Sequence, residues 1–263
     1  MKLKFLFILA VFSSETLFAM RLELIPKGRP YRLTFADPRE IRMSLQFHSD
    51  SRLTAAVGNY FSLVEWNSES SNPWRAHFGL EGAGYFTMRH TATRFPLETT
   101  DGLIGAYLET QQGEWQGQIR LTHISAHLSD GISNATPLIY SRESVVAKAG
   151  WSPDPTRQCY GAVHMLVHTI PELPRFAFQL GGYYFWEGVS QWLLPYIATD
   201  LKFSRESSFS PSWSWQMGMA INNPSESYRS FRLFYSYYTG ADPRGQFYFR
   251  NYTSHALGLE MQI

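Results

Sequence analysis

From Ile41 onward, apolar and polar residues change places at nearly every step. Ile41, Met43, Leu45 and Phe47 alternate with Arg42, Ser44, Gln46 and His48, a period of two that marks a strand with one apolar and one polar face. The pattern returns in Trp74, Ala76, Phe78 and Leu80 against Arg75, His77, Gly79 and Glu81, and again in Trp213, Trp215, Met217 and Met219 against Ser214, Gln216 and Gly218. Leu257, Leu259, Met261 and Ile263 carry it to the last residue. Turn clusters at Asn67 to Pro73, Gln111 to Glu114, Ser152 to Thr156 and Asn222 to Ser225 separate the runs. Together they predict about twelve strands, near 41–48, 54–66, 74–90, 102–110, 115–128, 139–151, 159–168, 175–186, 193–204, 211–222, 228–239 and 246–263. No helical face of period 3.6 competes, and no internal repeat supports a propeller or solenoid.

The segment before the strands has a different character. Lys2 and Lys4 precede the apolar run Phe5 to Phe12, and the stretch closes on Leu17-Phe18-Ala19. Residues 1–19 therefore read as a secretory signal peptide, with an apolar core too short to span a bilayer as a helix. Residues 20–40, with Pro26 and Pro30, read as an irregular leader, and 41–263 as one β domain.

Composition narrows the class. The 263 residues carry a net charge of +1, which gives no global pull toward nucleic acid. A single cysteine, Cys159, excludes an intramolecular disulfide and a cysteine-based zinc site. The chain has 42 aromatic residues, yet its mean hydropathy is −0.24, so the apolar residues must be dispersed among polar ones. One face of the strands collects Trp74, Trp115, Trp151, Trp186, Trp213 and Trp215 near strand ends, as an interfacial aromatic girdle would. The other face collects Arg42, Arg75, Glu81, Arg89, Arg120, Arg142, Lys148, Asp200, Lys202, Arg232, Arg250 and Glu260, charges of both signs suited to a wet or salt-bridged lumen. The expectation is an all-β, antiparallel transmembrane barrel of about twelve strands in a bacterial outer membrane, in contact with its lipids. An even strand number places both termini on the periplasmic side.

Candidate chemistry concentrates on one hairpin. The odd positions from Trp115 are apolar through Leu121 and then turn polar as His123, Ser125, His127 and Ser129; Ser141 and Glu143 share that face on the returning strand. A hydroxyl, an imidazole and a carboxylate are the parts of a nucleophilic triad. A loop centred near residue 135 sets Glu143 opposite His127, and one centred near 134 sets it opposite Ser125. Lone His77, His164 and His168 read as lumen polar residues rather than metal ligands. Gly79-x-x-Gly82-x-Gly84 lies within a strand and is no phosphate loop.

His127-Leu128-Ser129-Asp130-Gly131 resembles the His-x-Ser-Asn-Gly segment of outer-membrane phospholipase A, and a His-x-Ser with a downstream Glu is similar to the lipid A 3-O-deacylase. That resemblance implies a lipid-facing site with Ser129 as nucleophile, His127 as base and Glu143 as orienting group. Asp130 stands where the phospholipase has Asn. His123-Ile124-Ser125 is a second His-x-Ser that competes for the role. No cofactor is expected from the residues; calcium and a homodimer would follow only from the phospholipase analogy. The last strand resembles the targeting signal by which outer-membrane barrels meet their assembly machinery, with terminal Ile263 in place of the usual aromatic. A wider resemblance rests on Ala36-Asp37-Pro38-Arg39-Glu40, Ser125-Ala126-His127-Leu128 with Asp130, Ala198-Thr199-Asp200-Leu201-Lys202, and Tyr238-Thr239-Gly240 followed by Arg244-Gly245-Gln246-Phe247. These are similar to the domain of unknown function 1207 family, which implies an outer-membrane-type protein without an established activity. That family often has glycine where Ser129 stands, which favours His123 with Ser125. Two functions remain open: an ester hydrolase acting on phospholipid or lipid A, and a non-catalytic channel, ligand-binding or structural barrel.

Overall fold

The computed structural model describes residues 20–68, 72–187, 193–204, 211–222 and 230–262. Its strands are β1 (Met20–Leu24), β2 (Met43–His48), β3 (Arg52–Ser68), β4 (Trp74–Arg89), β5 (Leu97–Gln112), β6 (Trp115–Leu128), β7 (Ser141–Asp154), β8 (Arg157–Ile170), β9 (Phe176–Phe185), β10 (Leu193–Phe203), β11 (Ser212–Ile221), β12 (Ser230–Ala241) and β13 (Asn251–Gln262). From β2 to β13 each strand pairs antiparallel with the next, and β13 returns to β2 through Leu259 opposite Leu45. Twelve strands thus close a barrel with no open edge along most of its wall. The signal peptide read at 1–19 and terminal Ile263 lie outside the described residues.

The strand faces are sorted inside out. Phe61, Leu80, Ile104, Leu121, Val163, Leu180, Met217, Leu233 and Leu257 point outward and are exposed, whereas Glu81, Glu109, Arg120, Gln158, Gln179, Arg232 and Glu260 are buried in the interior. A water-soluble sandwich would place these sets the other way round. Trp115, Trp151 and Trp186 ring the outside at the end that holds Met20 and Gln262, and Trp213 and Trp215 ring the other, as the alternation leads one to expect.

Most strand boundaries shift by one to three residues from the sequence reading, and two strand starts shift by five. Strand β5 starts at Leu97 rather than 102, because Glu98 and Asp101 are interior residues that meet Arg52, Arg89 and Arg39. Strand β13 starts at Asn251 rather than 246, because Gly245–Phe247 leave the wall as a buried 3₁₀ turn. Arg250, expected to face the lumen, therefore lies exposed on that connection, 4.3 Å from the centre of the Phe247 ring.

The larger difference is the leader. It is irregular as expected, but it does not merely precede the first strand. Strand β1 pairs with the Val64–Ser68 end of β3, and β2 pairs with Leu53–Val57 farther along the same strand. The first wall position is thus filled in two pieces, and residues 25–42 between them turn into the lumen. There the leader is fastened by charges of the opposite sign. Arg29 pairs with Glu109, Arg39 with Asp101, and Arg42 lies 3.2 Å from Glu260. Phe35 sits edge-on to Tyr183 and Phe185 at 4.6 and 5.6 Å, capped by the Arg232 guanidinium at 4.2 Å.

Glu40 is the most heavily coordinated of these groups. Its carboxylate accepts hydrogen bonds from the Thr34 hydroxyl and backbone, the Ile41 backbone and the Tyr60 hydroxyl, and Lys148 Nζ lies 3.5 Å away. Burial alone would raise its pKa; the Lys148 and Arg120 cations and the donated hydrogen bonds outweigh it and hold the carboxyl well below its ordinary range. A lowered folded-state pKa contributes stability above the ordinary value of 4.5, and that contribution is lost as pH falls below it. Unfolding midpoints followed by heat-modified gel mobility should therefore drop on acidification through pH 4.5, more steeply in the wild type than in Glu40→Gln. Lys148→Ala strands two buried carboxylates, Glu40 and Asp37, and should cost about 3 to 5 kcal/mol in reversible denaturant unfolding. An unchanged midpoint would show that the leader is not held this way.

Candidate functional site

Strands β6 and β7 present His123, Ser125, His127, Ser141 and Glu143 on the outer face, as the alternation predicts. Their register differs from both expected alternatives. His123 stands opposite Glu143 and Ser125 opposite Ser141, so the hairpin centres on residue 133 rather than 134 or 135. The cause lies in the connection. Beyond Leu128 the rising chain stays on β5, where Ser129 and Gly131 donate to the Glu98 and Leu97 carbonyls at 2.9 and 2.8 Å. A side chain at Gly131 would meet the Leu97 carbonyl at 2.5 Å, so only glycine follows β5 this closely. Gln246 fixes the other arm: its Nε2 donates to the Ala126 and Leu138 carbonyls at 2.5 and 2.8 Å, and Leu138 N donates back to its Oε1 at 2.9 Å.

The register assembles a carboxylate held from several sides. His123 Nδ1 bonds Glu143 Oε1 at 2.7 Å, Ser141 Oγ donates to the same oxygen at 3.1 Å, and His168 Nδ1 bonds Oε2 at 2.6 Å. Because a carboxylate only accepts, both imidazoles carry their proton on Nδ1, and among the described residues neither Nε2 has a hydrogen-bond partner. The side chains of His123, Glu143 and His168 are 42%, 38% and 61% exposed, which places the cluster on the open outer surface.

The five residues singled out by sequence divide into two groups. His123 and Glu143 touch, and Ser125 lies two residues along the same face. His127 and Ser129 lie beyond the β6–β7 ladder: His127 pairs with Thr100 of β5, and Ser129 Oγ bonds the Thr100 hydroxyl at 3.4 Å. Among the described residues no hydrogen bond joins Ser125 or Ser129 to either imidazole.

His77 and His164 are interior, bonded to Glu65 and, at 2.8 Å, to Gln179. His168 is a correction, since it faces outward. A bulge between Glu143 and Ser144 on the β7–β8 ladder inserts one residue into β8 and reverses the side-chain sense beyond Val167. The sequence carries the trace: Val163, Met165 and Val167 keep the outward parity, and the next outward apolar residue is Ile170. Among the described residues no cluster of His, Cys, Asp and Glu has a geometry suited to a metal ion.

What the arrangement can do is orient a base. Glu143 fixes the tautomer and plane of His123, whose free Nε2 can take a proton from a hydroxyl brought to it. At about 3.3 Å per residue and a tilt near 40°, His123 lies roughly 20 Å along the barrel axis from the Trp115 girdle, near the far edge of an apolar band about 25 Å tall.

A family model described as Protein of unknown function (DUF1207) matches residues 9–262, in agreement with the resemblance read from the sequence. No curated protein and no solved structure matches the chain.

The register is testable directly. Ala126 N donates to the Tyr140 carbonyl, so Ser125 and Ser141 form the adjoining non-hydrogen-bonded pair, whose side chains approach closely. In a Cys159→Ser background, Ser125→Cys with Ser141→Cys should crosslink on mild oxidation, detected by mass spectrometry, and His127→Cys with Glu143→Cys or Ser125→Cys with Glu143→Cys should not. The reverse result would restore one of the longer-centred registers.

Proposed function

We propose that this chain, which belongs to the DUF1207 family, is an outer-membrane barrel that hydrolyses acyl esters of phospholipid or lipid A at its lipid face. The observation that carries the reading is the His123 to Glu143 hydrogen bond on the outward face beside Ser125. The exposed apolar band supports membrane insertion, and the filled lumen argues against a wide pore. Both termini then lie toward the periplasm, and the site meets the outer leaflet, where polar side chains on the lipid face cost only about 0 to 1 kcal/mol. Leu257, Leu259 and Met261, outward on β13, would be read by the assembly machinery.

In this mechanism Ser125 Oγ attacks the ester carbonyl of a lipid that approaches laterally, while His123 Nε2 takes the hydroxyl proton. The tetrahedral intermediate collapses with breakage of the ester C–O bond, and His123 returns the proton to the departing alcohol. Water, activated by the same imidazole, then releases the fatty acid and regenerates the serine. Glu143 orients His123 and stabilises its cation. Ser125 must turn toward His123 on substrate binding, as catalytic contacts often tighten only in the complex. The unmade Ser125 to His123 bond favours a second reading, a non-catalytic ligand-binding or structural barrel.

Purified protein assayed on mixed micelles of phospholipid should release fatty acid. Ser125→Ala should abolish release, Ser129→Ala should retain it, and Glu143→Gln should lower it by about 10² to 10⁴. Inert wild-type protein would leave the non-catalytic reading, and full activity in Ser125→Ala would rule out Ser125 as the nucleophile.

A further inference from the structure

On the inner side of the same wall, above the leader, the lumen keeps a polar chamber of about 130 Å³. This is room for several waters or one small ionic group. Lys202 of β10, Arg142 of β7, His164 of β8 and the hydroxyls of Thr122, Ser144 and Ser212 line it, together with the carboxylates of Asp37, Asp200 and Asp242.

Lys202 differs from its neighbours. The inward cations Arg42, Arg120, Lys148 and Arg232 each have a carboxylate within 4 Å, at Glu260, Glu81, Glu40 and Glu260. Among the described residues Lys202 has neither an ion pair nor a hydrogen bond. The nearby acids are engaged elsewhere. Asp37 accepts from Gln179 Nε2 at 3.0 Å and lies 4.0 Å from Lys148 Nζ; Asp200 accepts from Gln179 at 2.7 Å and from the Tyr160 hydroxyl. His164 is turned to Gln179, and Arg142 lies over the Tyr140 ring at 4.6 Å. Asp37 is near enough to act on Lys202 through space, but among the described residues no carboxylate lies within 4 Å of its ammonium, and a half-buried ammonium without direct acceptors is costly unless water or a ligand supplies them. The hydroxyls around it add donors, since the Thr122 to Ser144 bond at 2.6 Å uses only one of their two protons.

The geometry points to a binding site for a small water-borne oxyanion, a phosphate or a carboxylate, with Lys202 as counter-ion and the chamber hydroxyls as donors. A divalent cation would meet the wrong charge at Lys202. The barrel wall separates the chamber from the lipid-facing side, which keeps a lipid tail out. The site is independent of the proposed hydrolase and stands or falls separately from it.

The full chain in detergent micelles, titrated calorimetrically with inorganic phosphate and separately with acetate, should bind one or both saturably at one site. Lys202→Met should weaken binding at least tenfold, and Lys27→Met, at the opposite mouth, should leave it unchanged. No saturable binding of either anion, or equal binding in Lys202→Met, would overturn the assignment. A second measurement needs no variant: the bound anion should slow acetylation of Lys202 relative to Lys27, read by mass spectrometry. Equal slowing at both lysines, or none, would contradict the site.

Discussion

A carboxylate placed in the middle of a barrel stays ionised only if it is supplied with donors and a counter-charge, and Glu40 is supplied from three segments at once. Thr34 and Ile41 belong to the leader, Tyr60 to β3 and Lys148 to β7. The contact therefore ties an irregular segment to two distant parts of the wall. With the leader so held, the lumen is filled along its length by Arg29, Phe35, Asp37 and Arg42, and the barrel is a packed body rather than an open tube. Truncating either partner leaves buried charge without compensation, so the arrangement is specific as well as stabilising.

The leader also touches what happens outside. Arg39 bonds both Asp101 and the Pro243 carbonyl, Asp101 accepts from Gly245 N at 2.9 Å, and the adjoining Gln246 clamps the Ala126 and Leu138 carbonyls. These bonds run from the plug, through the β12–β13 connection, to the hairpin whose register sets His123 against Glu143. A buried polar network of this kind fixes one geometry because each member is satisfied only in it. The inner packing and the outer cluster are therefore parts of one scaffold.

Much of this was legible in the residues. Alternation located the twelve wall strands, because a period of two is imposed by the pleat itself and survives any tertiary context. It also sorted the faces, since Glu81, Lys148 and Arg232 turn inward where their neighbours Leu80, Ala147 and Leu233 turn outward. The leader was not legible as a plug. Its partners lie far along the chain, Arg42 with Glu260 and Arg29 with Glu109, and no local pattern encodes such pairings. The hairpin register failed for a related reason: it depends on Gln246 and on Gly131 following β5, whereas a simple loop count assumes that both arms leave the ladder together. His168 was hidden by a bulge, which reverses parity without changing composition. His123 and Glu143 were both singled out because the outward face turns polar there, and that change is visible in sequence alone.

The chain's own leader closes the lumen. Conductance of the purified barrel in a planar lipid bilayer tests this most directly. The account predicts no steady ionic current from the wild type and the appearance of open-channel steps when the Glu40 and Lys148 contact is removed. A large, steady conductance in the wild type would contradict it.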